Sequence, residues 1–157
     1  MIGRTNIRQR LRNNDVVISA MLRFPSPAAM EIMALAGVDL VIIDNEHYPF
    51  NPQRMETIIR AAETYGAECM VRVPNTEPAR IAQIMDYGVD GILVPSVDSY
   101  EEAMQLVNAV KYAPVGERGF CPITRAADYG FTASPADYPV RANRDSVVSI
   151  MVETKQG

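Results

Sequence analysis

The sequence is poor in several residue types that define whole classes of protein. Its 157 residues include two cysteines, one histidine and no tryptophan. Two distant cysteines do not make the disulfide framework of a small secreted domain, and no Cys-x-x-Cys pair indicates a zinc or redox site. We therefore expect Cys69 and Cys121 to be reduced core residues of a cytoplasmic protein.

Long hydrophobic segments and phosphate-binding glycine loops are also missing. The uncharged apolar runs are far shorter than the roughly 20 residues that cross a bilayer, and no charged start leads into an apolar signal segment. Neither a G-x-G-x-x-G nor a Walker A pattern is present, so nucleotide binding has no support in the sequence. The net charge of -4 argues against nucleic acid as a partner, and we expect no membrane partner either.

What the sequence does contain is an alternation of two periodicities. Short runs rich in β-branched residues are followed by amphipathic segments with helix start and stop signals. Continuous apolar strands that alternate with amphipathic helices are typical of an α/β fold with a parallel sheet. The predicted strands are residues 16–21, 40–43, 69–73, 91–94 and 147–152.

Capping signals mark where the intervening helices begin. Ser26-Pro27 and Asn51-Pro52 have the residue types of an N-cap followed by the first helical position. Asp98 and Glu101 have the spacing of a capping box.

Residues 113–146 break the pattern, because they are dense in proline, glycine, aspartate and arginine and predict a long irregular excursion. Such a loop inside a compact domain is usually functional or interfacial. A closed eight-stranded α/β barrel needs about 250 residues. Five strands in 157 residues therefore predict a single domain, residues 1–157, which is either a small open sheet or the truncated amino-terminal part of a barrel.

Charged side chains follow the predicted strands at their carboxyl ends, where parallel α/β proteins bind ligands. Asp44, Glu46 and His47 follow the second strand, Arg72 lies on the third, and Glu153 ends the fifth. An apolar core does not require charges at these positions. We expect these side chains to converge on one rim.

Each of these residues has a structural alternative. His47 could act as a general base oriented by Asp44, or could be a surface loop residue. Arg72 lies in an apolar strand, so its guanidinium needs an anionic partner, either a protein carboxylate or the carboxylate of a substrate. Glu153 could be one hard oxygen ligand of Mg²⁺.

Five segments, in order and with fitting spacing, closely resemble the motifs of the HpcH/HpaI aldolase family. They contain Ile-Ile-Asp-Asn-Glu-His, Val-Arg-Val-Pro, Leu-Val-Pro-Ser-Val, Tyr-Ala-Pro-Val-Gly-Glu-Arg-Gly and Met-Val-Glu-Thr, at residues 42–47, 71–74, 93–97, 112–119 and 151–154. The resemblance implies a TIM-type (β/α)₈ barrel, of which this chain holds about the first five strands.

The resemblance also implies a carbon–carbon lyase that depends on a divalent metal, Mg²⁺, Mn²⁺ or Co²⁺, and forms homo-oligomers. Such an enzyme cleaves a 4-hydroxy-2-oxoacid to pyruvate and an aldehyde through a metal-stabilised enolate. By resemblance His47 with Asp44 handles the proton, Arg72 stabilises charge on the pyruvyl oxygens, and Asp86 tunes the basicity of the histidine. Glu153 matches a metal carboxylate.

The chain departs from the family pattern at two points. Met151 stands where family members often carry a glutamine that contacts substrate. The second metal carboxylate belongs to the following strand, before which this chain ends. Two alternatives to the aldolase thus stay open: a catalytically incompetent half-barrel that self-associates, and a citrate lyase β-like enzyme acting on a CoA thioester. The Asp-x-Glu-His segment at 44–47, together with Gly-Glu-Arg-Gly at 116–119, favours the aldolase branch.

Overall fold

The computed structural model describes residues 6–48, 50–131 and 134–157. The chain divides into two compact units, Met1–Arg72 and Val73–Gly157. Each is described by itself below. That the two form a single domain stays a prediction.

The first unit contains a parallel three-stranded ladder with helices before and between its strands. β2 pairs with β1 on one side and with β3 on the other, and the second ladder ends at the partners Asp44 and Arg72. The elements in chain order are α1 Ile7–Arg12, β1 Ser19–Leu22, α2 Pro27–Leu35, β2 Leu40–Asp44, α3 Pro52–Tyr65 and β3 Glu68–Arg72.

The predicted caps of α2 and α3 are confirmed. The Ser26 hydroxyl accepts a hydrogen bond from the backbone N–H of Ala29 at 3.2 Å, and the Asn51 side chain accepts one from Arg54 at 2.8 Å. Each side chain satisfies a donor that the first helical turn leaves free. Gly66 ends α3 with a φ of 81°, a left-handed conformation that glycine adopts without strain.

The core of the first unit lies between α3 and the central strands. One face of α3 is fully buried through Met55, Ile58, Ile59 and Ala62, as the i, i+3, i+4, i+7 spacing predicts. Most residues of β2 and β3 are buried as well. Cys69 belongs to this core, which confirms its predicted place.

The second unit contains a parallel strand pair, β4 and β5, which align Gly91 with Val147. A Cβ atom on Gly91 would lie 2.2 Å from the carbonyl oxygen of Val147, so glycine permits the close approach of the strands. The elements are α4 Pro78–Asp86, β4 Gly91–Val94, α5 Tyr100–Val110, α6 Asp137–Asp145 and β5 Val147–Ile150.

The start of α5 corrects the predicted capping box. The N-cap is Ser99, whose hydroxyl accepts from the backbone N–H of Glu102 at 3.1 Å. The Glu102 carboxylate in turn accepts from the backbone N–H of Asp98 at 2.9 Å. The motif is therefore shifted by one residue from the predicted Asp98 and Glu101, because both Asp98 and Ser99 are suitable caps.

The excursion of residues 113–146 is more structured than predicted. It contains helix α6 and a short 3₁₀ turn, Asp128–Gly130. The buried ammonium group of Lys111 donates to the Asn143 carbonyl at 2.8 Å and to the Ser146 carbonyl and hydroxyl at 2.6 Å each. Burying a lysine is tolerable only with such acceptors. Cys121 is exposed, so its predicted place in the core is wrong.

The strand pairings confirm the predicted parallel α/β class. All three strand pairs described, β1–β2, β2–β3 and β4–β5, are parallel. Within the described ranges, each helix is too short or too polar to cross a bilayer.

Candidate active site

The first unit brings Asp44 and Arg72 together at the carboxyl ends of β2 and β3. Arg72 donates from Nε to Oδ1 of Asp44 at 2.9 Å and from Nη2 to Oδ2 at 2.6 Å. The side chain of Asp44 is 0% exposed and that of Arg72 is 12% exposed. This two-pronged contact is the strongest geometry available to a guanidinium and a carboxylate. The structure thus bears out the alternative in which Arg72 has a protein carboxylate as its partner.

The environment of Asp44 favours its charged form. Burial raises the pKa of Asp44, but the hydrogen bonds and charge of Arg72 lower it, and backbone N–H donors from His47 and Glu46 lower it further. The net result is a pKa below the ordinary range of an aspartate. Asp44 is therefore a carboxylate at neutral pH, which keeps Arg72 anchored.

Asp44 also shapes the turn that carries His47. Its Oδ1 accepts from the backbone N–H of Glu46 at 3.3 Å and from that of His47 at 3.5 Å, while the N–H of Asn45 bonds the Arg72 carbonyl at 3.0 Å. An aspartate that bonds the backbone two residues on is a typical turn former. The turn therefore holds His47 directly after β2.

The imidazole of His47 faces a different carboxylate from the one predicted. Its Nε2 lies 3.6 Å from Oε2 of Glu46, and the ring is 62% exposed. The same Glu46 oxygen lies 3.1 Å from Nε of Arg72. Sequence reasoning placed Glu46 at the rim but gave it no role, because residue type and position alone do not reveal which carboxylate meets the ring.

In the second unit, Glu153 lies beyond the carboxyl end of β5. Its Oε2 accepts from the backbone N–H of Ser96 at 3.0 Å and from the Ser96 hydroxyl at 3.3 Å. Thr154 donates to Asp98 at 2.7 Å, so the segments after β4 and β5 are joined twice. The two contacts fix Glu153 at the strand ends, where the sequence placed it.

The donor chemistry around Glu153 allows it to be one ligand of a divalent cation. Its side chain is exposed and offers hard carboxylate oxygens. Mg²⁺ usually takes one or two protein carboxylates, with water and substrate completing its shell. Within residues 6–48, 50–131 and 134–157, no group of three histidine, cysteine, aspartate or glutamate side chains is placed to hold a metal. That Glu153 is a metal ligand stays a prediction.

Met151 directly follows β5, and its backbone is hydrogen-bonded to β4 and to the segment after it. Its N–H donates to the Val94 carbonyl at 2.8 Å, and its carbonyl accepts from the N–H of Val97 at 3.1 Å. The residue is half-buried. Its predicted contact with substrate stays a prediction.

Asp86 is the last residue of α4, and α4 leads into the amino end of β4. Glu153 and Ser96 lie at the opposite end of that strand. The Asp86 carboxylate pairs with the guanidinium of Arg118, whose side chain is 2% exposed. Arg118 also lies over the ring of Tyr112 at 4.6 Å. Sequence reasoning missed Arg118, because a pair separated by 32 residues leaves no local signal.

A pocket of about 380 Å³ opens between α4, α5 and the segment 117–119 of the second unit. Its floor is formed by small side chains, including Ala79, Ala82 and Ala109, and none of the predicted site residues lines it. Small side chains on facing helices leave such a space because they do not fill the groove between them. The pocket is therefore separate from the strand-end residues of this unit.

The first unit thus presents carboxylates, a guanidinium and an imidazole at the carboxyl ends of parallel strands, where α/β proteins bind their ligands. The HpcH/HpaI aldolase/citrate lyase family model matches residues 21–157. The chain belongs to this family.

Curated relatives include several aldolases. The chain is 33% identical over 151 residues to the hydroxypyruvate/pyruvate aldolase of Roseovarius nubinhibens, covering 96% of this chain and 58% of that protein. It is 34% identical over 145 residues to the 2-dehydro-3,6-dideoxy-6-sulfogluconate aldolase of Pseudomonas putida, covering 92% and 55%. The chain thus spans little more than half the length of these relatives.

Solved structures of the family confirm the fold. An HpcH/HpaI aldolase/citrate lyase family protein from Burkholderia cenocepacia J2315 matches with a TM-score of 0.89 and 30% identity, over 98% of this chain and 62% of that one. An HpcH/HpaI aldolase from Desulfitobacterium hafniense DCB-2 matches with a TM-score of 0.88 and 25% identity, over 96% and 57%. The matches confirm the α/β fold class that the sequence predicts.

Proposed function

We propose that the chain carries the amino-terminal half of the active site of a divalent-metal-dependent aldolase. The reaction is cleavage of a 4-hydroxy-2-oxoacid to pyruvate and an aldehyde. The observation that carries the proposal is the cluster of Asp44, Glu46, His47 and Arg72, held at two adjacent strand ends in a chain of an aldolase family. A homo-oligomer in the cytoplasm, with no organic cofactor, is part of this proposal.

Arg72 and His47 have complementary tasks in this reaction. Breaking the bond between C3 and C4 leaves its electron pair on the pyruvyl part, while the hydroxyl on C4 loses its proton as the aldehyde forms. We expect Arg72, which Asp44 orients, to stabilise the charge that develops on the oxoacid oxygens. We expect His47, whose ring is exposed, to accept the hydroxyl proton.

Glu153 is the residue of this chain that we expect to bind the metal. A bound Mg²⁺, Mn²⁺ or Co²⁺ supplies Lewis-acid polarisation of the oxoacid. Ser96 holds one oxygen of Glu153 and thereby fixes the direction of the carboxylate. The contact of Met151 with substrate and the effect of Asp86 on the histidine rest on the resemblance to the family.

A citrate-type reaction is the second candidate. The structure of the citrate synthase SbnG matches the chain with a TM-score of 0.84 and 31% identity, over 96% of this chain and 57% of that one. A thioester or citrate substrate in place of a 4-hydroxy-2-oxoacid would put the chain in that branch. A self-associating half-barrel without catalysis is the third reading.

The test is pyruvate release by the purified chain from a 4-hydroxy-2-oxoacid, with Mg²⁺, Mn²⁺ or Co²⁺ and with EDTA. We expect metal-dependent release that His47→Ala abolishes, and that Glu101→Gln, a change on the exposed first turn of α5, leaves intact. Turnover of citrate or a CoA thioester alone would assign the second candidate. A folded chain without activity on any of these substrates would contradict the proposal and leave the half-barrel.

A further inference from the structure

Glu46 has an unusual position beside the two groups that the proposed reaction uses. Its Oε2 is buried and receives no hydrogen bond from any described residue. That oxygen nevertheless lies 3.1 Å from Nε of Arg72 and 3.6 Å from Nε2 of His47. A buried carboxylate oxygen without a donor is costly, so its retention next to two nitrogen atoms calls for an explanation.

Asp44 does not provide that explanation, because its contacts serve other groups. Both of its oxygens are engaged by Arg72, and Oδ1 additionally receives the backbone N–H groups of Glu46 and His47. Among the contacts that the described residues make with the His47 ring, the carboxylate partner is Glu46. The predicted pairing of Asp44 with the imidazole is thus replaced by a division of labour between two carboxylates.

The charges of the cluster are consistent with that division. Asp44 and Glu46 carry two formal negative charges, and Arg72 carries one positive charge. A proton taken up by His47 therefore balances the cluster, and Oε2 of Glu46 is the nearby oxygen that can receive the N–H of the imidazolium. Hydrogen bonds of catalytic groups are often long without substrate and shorten when it binds.

We propose that Glu46 is a positioning residue for His47: it fixes the Nε2 edge of the imidazole beside Arg72 and leaves Nδ1 to accept the substrate proton. Asp44, in turn, positions Arg72. The proton passes from the C4 hydroxyl to Nδ1, and the resulting imidazolium keeps its Nε2–H on Glu46. The catalytic meaning of this assignment rests on the proposed function, but the positioning of the ring can be measured without it.

The measurement uses the fact that His47 is the only histidine of the chain. In an untagged protein, the long-range ¹H–¹⁵N spectrum of the neutral imidazole reports which ring nitrogen carries the proton. We expect Nε2–H to dominate, and we expect its ratio to Nδ1–H to fall about threefold or more in Glu46→Gln. Glu46→Asp, which keeps the charge, should restore part of the ratio. Glu56→Gln, which changes a half-buried glutamate paired with Arg60 on α3, should leave it unchanged.

Kinetics provide the second readout. In Glu46→Gln we expect kcat to fall about tenfold, with less than a twofold change in KM, because the ring loses its carboxylate partner while Arg72 keeps both hydrogen bonds to Asp44. An unchanged tautomer ratio and an unchanged kcat in a folded Glu46→Gln chain would overturn the assignment. If Glu46→Gln lowers the tautomer ratio but the wild-type chain releases no pyruvate, the positioning role of Glu46 stands and the aldolase proposal fails. The two failures are therefore distinguishable.

Discussion

Arg72 and Asp44 are register partners at the last rung of the β2–β3 ladder, and their side chains repeat the pairing of their backbones. The guanidinium grips both carboxylate oxygens, and the carboxylate is fully buried. The pair is therefore both a part of the sheet and the foundation of the proposed site. A change to either residue has consequences for stability as well as for activity.

Removing both partners together should cost less than the sum of the two separate removals. Asp44→Asn removes the charge of the carboxylate that binds the nearly buried guanidinium through two hydrogen bonds, and breaking a buried pair in this way costs about 3–5 kcal/mol. Arg72→Met should be similarly destabilising, and the double variant should lose less than the sum, with a coupling of about 1–3 kcal/mol. Urea unfolding of the four chains measures the free energies.

The pair of Arg10 and Asp39 provides the matched control for that cycle. It joins the same residue types in the same unit, but its side chains are 23% and 22% exposed. Water screens such a pair, so the coupling between Arg10→Met and Asp39→Asn should be clearly smaller. Equal coupling in the two cycles would show that the burial of Asp44 contributes nothing.

The lowered pKa of Asp44 predicts how stability depends on pH. The pKa of an aspartate in an unfolded chain is about 3.9, and the pKa of folded Asp44 lies below it because of Arg72 and the backbone donors. The stability that Asp44 contributes is thus fully present above the unfolded pKa and is lost as the pH falls through the folded pKa. In that window the unfolded chain binds more protons, so acid favours unfolding.

Chemical unfolding between pH 5 and pH 2, at intervals of about half a unit, checks this expectation. The free energy of unfolding of the wild type should fall more steeply below about pH 4 than that of Asp44→Asn, by up to about 1.4 kcal/mol per pH unit. If the free energy of unfolding falls equally steeply with pH in the two chains, Asp44 has the same pKa in the folded and the unfolded state. Asp39→Asn is the comparison variant. The pKa of Asp39 is also lowered, and the largest cause is its hydrogen bond to Arg10.

Lys111 should contribute to stability through its three acceptors. Lys111→Met keeps the length of the side chain but leaves the Asn143 and Ser146 carbonyls without this donor. We expect a loss of about 2–3 kcal/mol, the usual consequence of depriving buried polar groups of their partner. Lys155, the other lysine of the chain, is exposed, so thermal unfolding of Lys155→Met should match the wild type.

Glu153 should determine whether the chain responds to divalent cations. If it is a ligand, Mn²⁺ raises the melting temperature of the wild type, because a ligand that binds only the folded state stabilises it. Glu153→Gln should abolish that rise while keeping an acceptor for Ser96. Differential scanning calorimetry with and without Mn²⁺ measures the effect, with Glu101→Gln as the control. A rise that persists in Glu153→Gln would place the ion elsewhere.

The parts of the site that sequence reasoning found are those in which position along a strand decides the outcome. Asp44 and Arg72 were both expected to follow or end strands, and parallel strands bring such residues to one edge. The helices α2 and α3 carry their caps in adjacent letters, so their starts were readable. Local chemistry and a fixed periodicity carried this information.

The parts that it missed depend on tertiary partners. Helix α6 was hidden because it contains Pro139 and Tyr138 is its one buried residue, so few apolar residues indicate it in the sequence. Two carboxylates, Asp44 and Glu46, lie near His47 in the sequence. The imidazole faces Glu46, and the direction of a side chain cannot be inferred from the sequence. The exposure of Cys121 likewise depends on how the excursion packs.

The excursion between α5 and β5 has the length of a loop that could open and close over a ligand. Hydrogen bonds nevertheless fix its beginning. The Asn143 side chain accepts from the N–H of Tyr112 at 2.7 Å and donates to the carbonyl of Tyr112 at 2.8 Å, as the backbone of a neighbouring strand would. A side chain thus substitutes for a peptide group, and the amide of Tyr112 should exchange its hydrogen slowly with solvent. The segment is also closed on itself, because the N–H of Arg118 bonds the carbonyl of Lys111 at 3.0 Å, so residues 111–118 form a fixed frame within the second unit.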